Sequence, residues 1–281
     1  MLDLLTRAKN AIEAYNTQLR LNSANIANMS VPGYKAMKIS FQTIFERLLH
    51  GGTAATGEVG GTNPLQLGSN VGIGNVRLDF SQGTFAEGSN LDLAINGNGL
   101  FIVSPDEGRT MLYTRAGKFR IDSYGNLVTD TGMQVYGFSG ANLVPITGLS
   151  GYDQIKLSWT SDGQLVEYTL DPHTNPPDPI TNPVNRYTGY SIALTSFANL
   201  SGLAQSYGNT FTETAASGAP LTYLGAGSTY GSVVPRNFEQ SNVFYTGEII
   251  DSMEAQRAMS GNLTIVRMIS DEISNFINRI S

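Results

Sequence analysis

His50 and His173 are the two imidazoles of this 281-residue chain, and neither has a neighbour at HxxxH or HxxE spacing, so a histidine-based metal site has no sequence basis. Cysteine is absent, which removes a thiolate nucleophile, a Cys metal site and a disulfide framework. Asp106 and Glu107 are adjacent carboxylates, but Ser104-Pro105-Asp106-Glu107-Gly108 reads as a solvated turn whose side chains need not converge on a substrate. No Gly-x-Ser-x-Gly elbow occurs, and a triad assembled in space is invisible to sequence order. Gly72-Ile73-Gly74 and Gly97-Asn98-Gly99 run into strand-like sequence, not into the helix N-terminus that a phosphate cradle needs. The chain thus predicts no catalytic residues, no cofactor and no metal.

What remains is amide chemistry on an apolar seam. Leu5, Ala8, Ile12, Tyr15, Leu19, Asn22, Ile26 and Met29 step by three and four, the pattern of a helix that packs along another helix. Near the other end Met259, Leu263, Val266, Ile269, Ile273, Phe276 and Ile280 form a second seam. A buried Asn destabilises unless paired, yet it fixes the register of helices. Asn22 lies in the first seam with Asn25 and Asn28 beside it, which gives two readings: register-setting, or capping of the helix end by Asn28. Such helices either dock on their own domain or bind each other and neighbouring copies. In the second reading the assembly interface is Leu5, Ile12, Tyr15, Leu19, Asn22, Asn25, Ile26, Asn28, Gln256, Arg257, Leu263, Val266, Ile269, Ile273, Phe276 and Ile280. Arg257 either faces solvent or bonds a neighbouring copy. Gly261 costs its helix about 1 kcal/mol relative to alanine, for which close helix approach is a reason.

The elements that hold these residues follow from composition and punctuation. Charged residues are 14% of the chain, there are 31 glycines and the formal net charge is −6, which fits a turn-rich β protein and disfavours a nucleic-acid partner. Arg7, Lys9 and Glu13 interrupt the N-terminal apolar residues before a signal-peptide core forms, and no stretch approaches the roughly 20 apolar residues of a membrane span. Export without a cleaved signal, or a cytoplasmic location, and no membrane insertion are the expectations. The first helix should stop near Met29, because Ser30-Val31-Pro32-Gly33 breaks it; Pro32 and Gly33 form a hinge, and Tyr34 and Lys35 open the crossing that follows. Phe41, Ile44, Phe45 and Leu48 predict a short helix over Ser40–Leu49, followed by a glycine- and threonine-rich linker up to Pro64.

From about Val71 to Leu224, short β-branched or aromatic runs predict strands, with turns at Asp122–Asn126 and Ser161–Gln164 and a proline-rich surface loop over Asp171–Pro183. Helix returns near Ser241 or Asn242, either of which could cap it. The fold class is therefore α+β: N- and C-terminal helices pairing as a coiled-coil-like assembly domain (1–34 with 241–281), a linker and crossing segment (35–70), and a mainly antiparallel β body (71–240) looped out between them. A subdomain over 141–189 is weakly marked.

Local motifs extend this reading. Asn22-Ser-Ala-Asn25-Ile26-Ala27-Asn28 with Pro32-Gly33-Tyr34-Lys35, and Glu239-Gln240-Ser241-Asn242-Val243 with Ala255-Gln256-Arg257-Ala258, closely resemble the terminal signatures of the bacterial flagellar rod and hook proteins. Gly61–Pro64, Asp79–Gly83, Leu91–Ile95, Tyr113–Gly117 and Glu213–Gly218 match that family in the same order, and Gly148–Tyr190 is the least similar part. Ser23, Phe244 and Met259-Ser260-Gly261 depart from its usual residues, which bears on the detailed helix contacts. The resemblance implies a secreted structural subunit whose terminal helices form concentric coiled coils around a channel and whose β domains form the outer wall. Its partners would be itself in a helical homopolymer, adjacent rod, hook or cap and junction proteins, and the flagellar export apparatus. Its location would be the flagellar basal body or hook. The Gly61–Pro64 segment and the Gly/Thr-rich run before it resemble hook proteins and the modest length a distal rod subunit; of the two, a short hook-type subunit is the expectation. A secreted β-rich adhesin or binding module is the alternative from another class.

Overall fold

The computed structural model describes residues 2–43, 46–50, 61, 63, 65–68, 71–169, 184–227 and 229–280. The chain forms two compact units, one of Met1–Ala27, Met37–Arg77 and Phe244–Ser281, the other of Asn28–Ala36 and Leu78–Val243.

In the first unit, helix α1 (Leu2–Ala27) packs along helix α2 (Tyr245–Ile280) and against strand β1 (Met37–Thr43). At 1.5 Å per residue, the 26 residues of α1 span about 39 Å and the 36 of α2 about 54 Å. Strands β2 (Glu46–His50) and β3 (Leu65–Gly68) pair antiparallel, and β1 pairs with β4 (Val71–Leu78). The helix expected over Ser40–Leu49 is thus strand wherever that stretch is described. The helical spacing of Phe41, Ile44, Phe45 and Leu48 overlaps a period of two in which Met37, Ile39 and Phe41 alternate with Lys38, Ser40 and Gln42. Tertiary bonds to the β1 backbone decide between them. The segment 35–70, expected as a linker and crossing segment, carries β1, β2 and β3, while residues 51–60, 62 and 64 of its glycine- and threonine-rich part lie outside the described residues.

The second unit is the β body. Its strands are β5 (Phe85–Glu87), β6 (Leu93–Asn96), β7 (Leu100–Ser104), β8 (Leu112–Thr114), β9 (Phe119–Ile121), β10 (Leu127–Thr129), β11 (Gln134–Ser139) and β12 (Asn142–Pro145). There follow β13 (Leu157–Trp159), β14 (Gln164–Thr169), β15 (Val184–Thr195), β16 (Ala204–Ser206), β17 (Thr210–Thr212), β18 (Leu224–Gly225), β19 (Ser232–Pro235) and β20 (Asn237–Glu239). The main sheet runs β13-β14-β15-β11-β7-β8-β17-β16. At its centre β7 reads Leu-Phe-Ile-Val-Ser with all five residues buried, the continuous apolar run of a strand covered on both faces. The twelve-residue β15 ties the sheet together: Ile192 pairs with Gly137 of β11, and Leu194 with Phe101 of β7. One core of Phe101, Val103, Leu127, Val135, Trp159, Leu165 and Ile192 fills the body, with Trp159 Nε1 donating to the Leu91 carbonyl at 2.8 Å. Residues 141–169 and 184–189 belong to this sheet and this unit. The Asp122–Asn126 and Ser161–Gln164 turns close the β9–β10 and β13–β14 hairpins. The proline-rich stretch Asp171–Pro183 lies outside the described residues.

Candidate assembly site

Within the first unit the helix pair is lined by small and polar residues. On α1 the buried residues are Ala8, Ala11, Ala14, Asn22 and Asn25; on α2 they are Ala255 and Ile269, with Glu248, Ser252, Met259, Asn262 and Val266 half-buried. The α2 line 248, 252, 255, 259, 262, 266, 269 steps by three and four. On α2 the seam residues Met259, Val266 and Ile269 lie on this line; on α1 the seam residues Ala8 and Asn22 lie on the inner line, joined there by Ala11, Ala14 and Asn25. Leu5, Ile12, Tyr15, Leu19 and Ile26 are half-buried beside it, and Met29 is exposed in the turn after the helix. On α2, Leu263, Ile273 and Phe276 are exposed, Phe276 at 60%, together with Met253 and Met268. Alanine lets helix backbones approach closely, whereas a leucine line would hold them apart.

The asparagines supply the specificity. The Asn22 amide lies 3.1 Å from Ser252 Oγ. Asn25 is 1% exposed; its Nδ2 donates to the Met37 carbonyl at 2.9 Å and to Glu248 Oε1 at 3.2 Å, while its Oδ1 accepts from the Met37 N–H at 3.0 Å. It thus clamps β1 as a neighbouring strand would, besides touching α2. Burial pushes the Glu248 carboxyl above its ordinary range, and the bond from Asn25 opposes that rise. Asn25→Ala strips both partners from the Met37 backbone. The expected loss is about 1–3 kcal/mol, read as faster hydrogen exchange at the Met37 amide than in the parent chain.

Asn28 falls in the turn beyond α1, where its carbonyl accepts from the Val31 N–H at 3.0 Å. Gln256 and Arg257 are exposed on α2. Gly261 is exposed too, and a methyl group built there meets nothing within 4 Å, so close approach of α1 is not its reason. The side chain of Ile280 lies outside the described residues. Neither Ser241 nor Asn242 caps α2, which starts at Tyr245. Asn242 instead accepts from the Ala36 N–H at 2.8 Å and donates to the Asp79 carbonyl at 2.7 Å.

In the second unit a buried charge cluster fixes the chain segments that follow α1 and precede α2. Glu239 and Lys35 side chains are 0% exposed and Arg115 is 2% exposed. Lys35 Nζ sits 2.7 Å from Glu239 Oε1 and donates to the Ser81 carbonyl at 2.7 Å. Oε1 also accepts from the Gly83 N–H at 2.8 Å, while Oε2 faces Arg115 Nη1 at 3.6 Å. Arg115 donates in addition to the carbonyls of Ile95 and Gly97. Burial lowers the Lys35 ammonium from its usual range; Glu239 opposes that shift by charge and hydrogen bond, and the Arg115 charge adds to it. The strand pair β20–β5, with Glu239 opposite Phe85, delivers the carboxylate to this point.

Pro32 and Gly33 stand at the same place. Gly33 has φ +67°, its N–H donates to the Glu239 carbonyl at 2.7 Å, and the Pro32 carbonyl accepts from Asn209 Nδ2 at 2.7 Å. These bonds tie the turn expected to be a hinge to β20 and to Asn209 within the second unit. Among the described residues no group of three or more His, Asp or Glu side chains could hold a metal ion, and no helix is long and apolar enough to cross a membrane.

A helix pair with an amide-lined seam, joined to a β body whose two connecting segments are locked together by buried charge, describes a structural building block. Residues 94–167 match the flagellar hook protein FlgE/F/G D1 domain. The chain is 29% identical to the flagellar basal-body rod protein FlgG of Bacillus subtilis (strain 168) over 99% of both chains, and 30% identical to that of Agrobacterium fabrum over 98% of both. It is 34% identical to the flagellar hook protein FlgE of Helicobacter mustelae, over 61% of this chain and 38% of that protein. The chain belongs to the family of flagellar basal-body rod and hook proteins.

Proposed function

We propose that the chain is a rod-type structural subunit of the flagellar axis that polymerises into a helical tube, carries motor torque and encloses the export channel. The observation that carries this reading is the alignment with rod proteins along nearly the full length of both partners. Hook relatives from Helicobacter align along 61% of this chain at 34–35% identity, which keeps a hook-type subunit as the second reading. Terminal helices pack in concentric coiled-coil-like layers, and the outward apolar residues of α2, Met253, Leu263, Met268, Ile273 and Phe276, meet neighbouring copies. Adjacent axial proteins bind at the two ends of the polymer. The chain reaches its place through the flagellar export apparatus without a cleaved signal and performs no catalysis.

Electron microscopy of basal bodies from a strain lacking the gene tests this. Truncated rods support the rod reading, and complete rods without hooks support the hook reading. Intact rods and hooks together overturn both.

Gly261 offers a second check. In the isolated chain Gly261→Ala should stabilise α2 by about 1 kcal/mol, seen as higher helicity by circular dichroism. If a neighbouring helix crosses there in the polymer, the same variant should lower incorporation into basal bodies. Unchanged incorporation would place the crossing elsewhere on α2.

A further inference from the structure

The β9–β10 hairpin of the β body carries a protruding aromatic at its closed end and a cleft at its open end. At the closed end Asp122 Oδ1 accepts from the N–H groups of Tyr124 at 2.9 Å and Asn126 at 2.8 Å, and Oδ2 accepts from Asn126 Nδ2 at 2.9 Å. The Gly125 carbonyl accepts from the Leu149 N–H at 2.8 Å. This turn is fixed on both sides, yet it leaves the Tyr124 side chain 83% exposed. A rigid tyrosine is a low-entropy anchor for a protein interface.

At the open end, one step beyond the Phe119–Thr129 pair, stand Lys118 and Asp130. They form with Pro32 the wall between two clefts of about 270 and 570 Å³. The smaller cleft offers Val31, Pro32 and Ala116 as an apolar lining. Its volume falls below the roughly 300–1,000 Å³ of small-molecule sites, which suits one side chain better than a cofactor. The Lys118 ammonium lies 4.3 Å over the Phe238 ring, and among the described residues it has no carboxylate within ion-pair distance. Asp130 is exposed.

We propose that Tyr124 of one copy inserts into the smaller cleft of the next copy, its ring on Val31, Pro32 and Ala116, its hydroxyl donating to Asp130, and its neighbour Asp122 pairing with Lys118. The charges are opposite in sign: hydrogen bonds led by the Asn126 N–H hold the Asp122 carboxyl below its usual range, so it is ionised opposite the ammonium. The two ends of the hairpin are about 15 Å apart, too far for one copy to fill its own cleft. A protrusion and a cleft at opposite ends of the hairpin are two different patches, so their pairing is a head-to-tail contact, which can propagate into an open polymer. This inference rests on the axial-subunit reading and names one of its contacts.

The chain has no cysteine, so a disulfide scan has no background. Ser123 and Gln205 are exposed, beside Tyr124 and in the wall of the smaller cleft respectively. Basal bodies purified under mild oxidation from cells whose only copy is Ser123→Cys with Gln205→Cys should give a ladder of covalent multimers on a non-reducing gel, and each single variant should give none. Adding Tyr124→Ala should reduce the ladder at least tenfold, while Tyr124→Phe should keep most of it. Incorporation without a ladder, or a ladder indifferent to Tyr124→Ala, overturns the contact and leaves the axial reading standing. Absence of the chain from basal bodies fails both together.

Discussion

Glu239→Ala should destabilise the β body by about 3–5 kcal/mol, because it leaves the buried Lys35 and Arg115 charges without their shared carboxylate. For a unit of this size, that lowers the unfolding midpoint by on the order of 10 °C. The pH dependence carries a further signature. The folded-state pKa of Lys35 is lowered from 10.5, so between that lowered value and 10.5 the unfolded chain binds more protons and stability rises with pH. Removing Glu239 takes away the opposing charge, deepens the shift and widens the window towards neutral pH. The deficit of the variant should therefore narrow as pH rises towards 10. A guanidinium keeps its proton throughout, so Arg115 retains its part of the cost. Thermal unfolding at several pH values measures both effects; a deficit that is constant with pH would mean that Lys35 is not the charge left stranded.

Gly33→Ala is the second large effect. At φ +67° an L side chain costs about 1–2 kcal/mol. Here the added methyl would also stand 2.4 Å from the Ala116 N and 2.5 Å from the Arg115 carbonyl carbon, both backbone atoms. Relieving that overlap adds about 1–3 kcal/mol and moves the turn away from β20, breaking the Gly33–Glu239 backbone bond. The variant should lose about 2–5 kcal/mol in denaturant unfolding, and incorporation into the flagellar axis with it. Full stability would mean that the turn can be re-formed elsewhere, as a true hinge would allow.

How far these features could be read in advance differed from element to element, for physical reasons. The three-and-four spacing made both terminal helices legible and included Ala8, Asn22 and Ile269 in the seams, but favouring large apolar residues passed over Ala11, Ala14 and Ala255. Ala8, Ala11 and Ala14 are buried on α1, while Phe276 at 60% and Met268 at 65% face outward on α2. Residue size predicts how much surface a side chain offers, not which neighbour covers it. The β body was legible because Leu100–Ser104 and Leu127–Thr129 are short apolar runs bounded by turn residues. The helix expected over Ser40–Leu49 rests on Phe41, Ile44, Phe45 and Leu48, whereas the alternation of Met37, Ile39 and Phe41 that leads into it is the signal of the strand that forms. Least legible was the charge cluster. Lys35 and Glu239 are 204 positions apart, and each taken singly reads as an ordinary surface charge. Asn242 was seen as a helix cap for the same reason: its partners at Ala36 and Asp79 become neighbours only once the chain has folded.

The Lys35–Glu239–Arg115 cluster has a mechanical meaning. The two connecting segments are bonded to each other through Gly33 and Glu239, Lys35 and Glu239, and Ala36 and Asn242. A tug on either one is therefore shared with the other before it reaches the sheet. Together these bonds make the two segments a doubled strap.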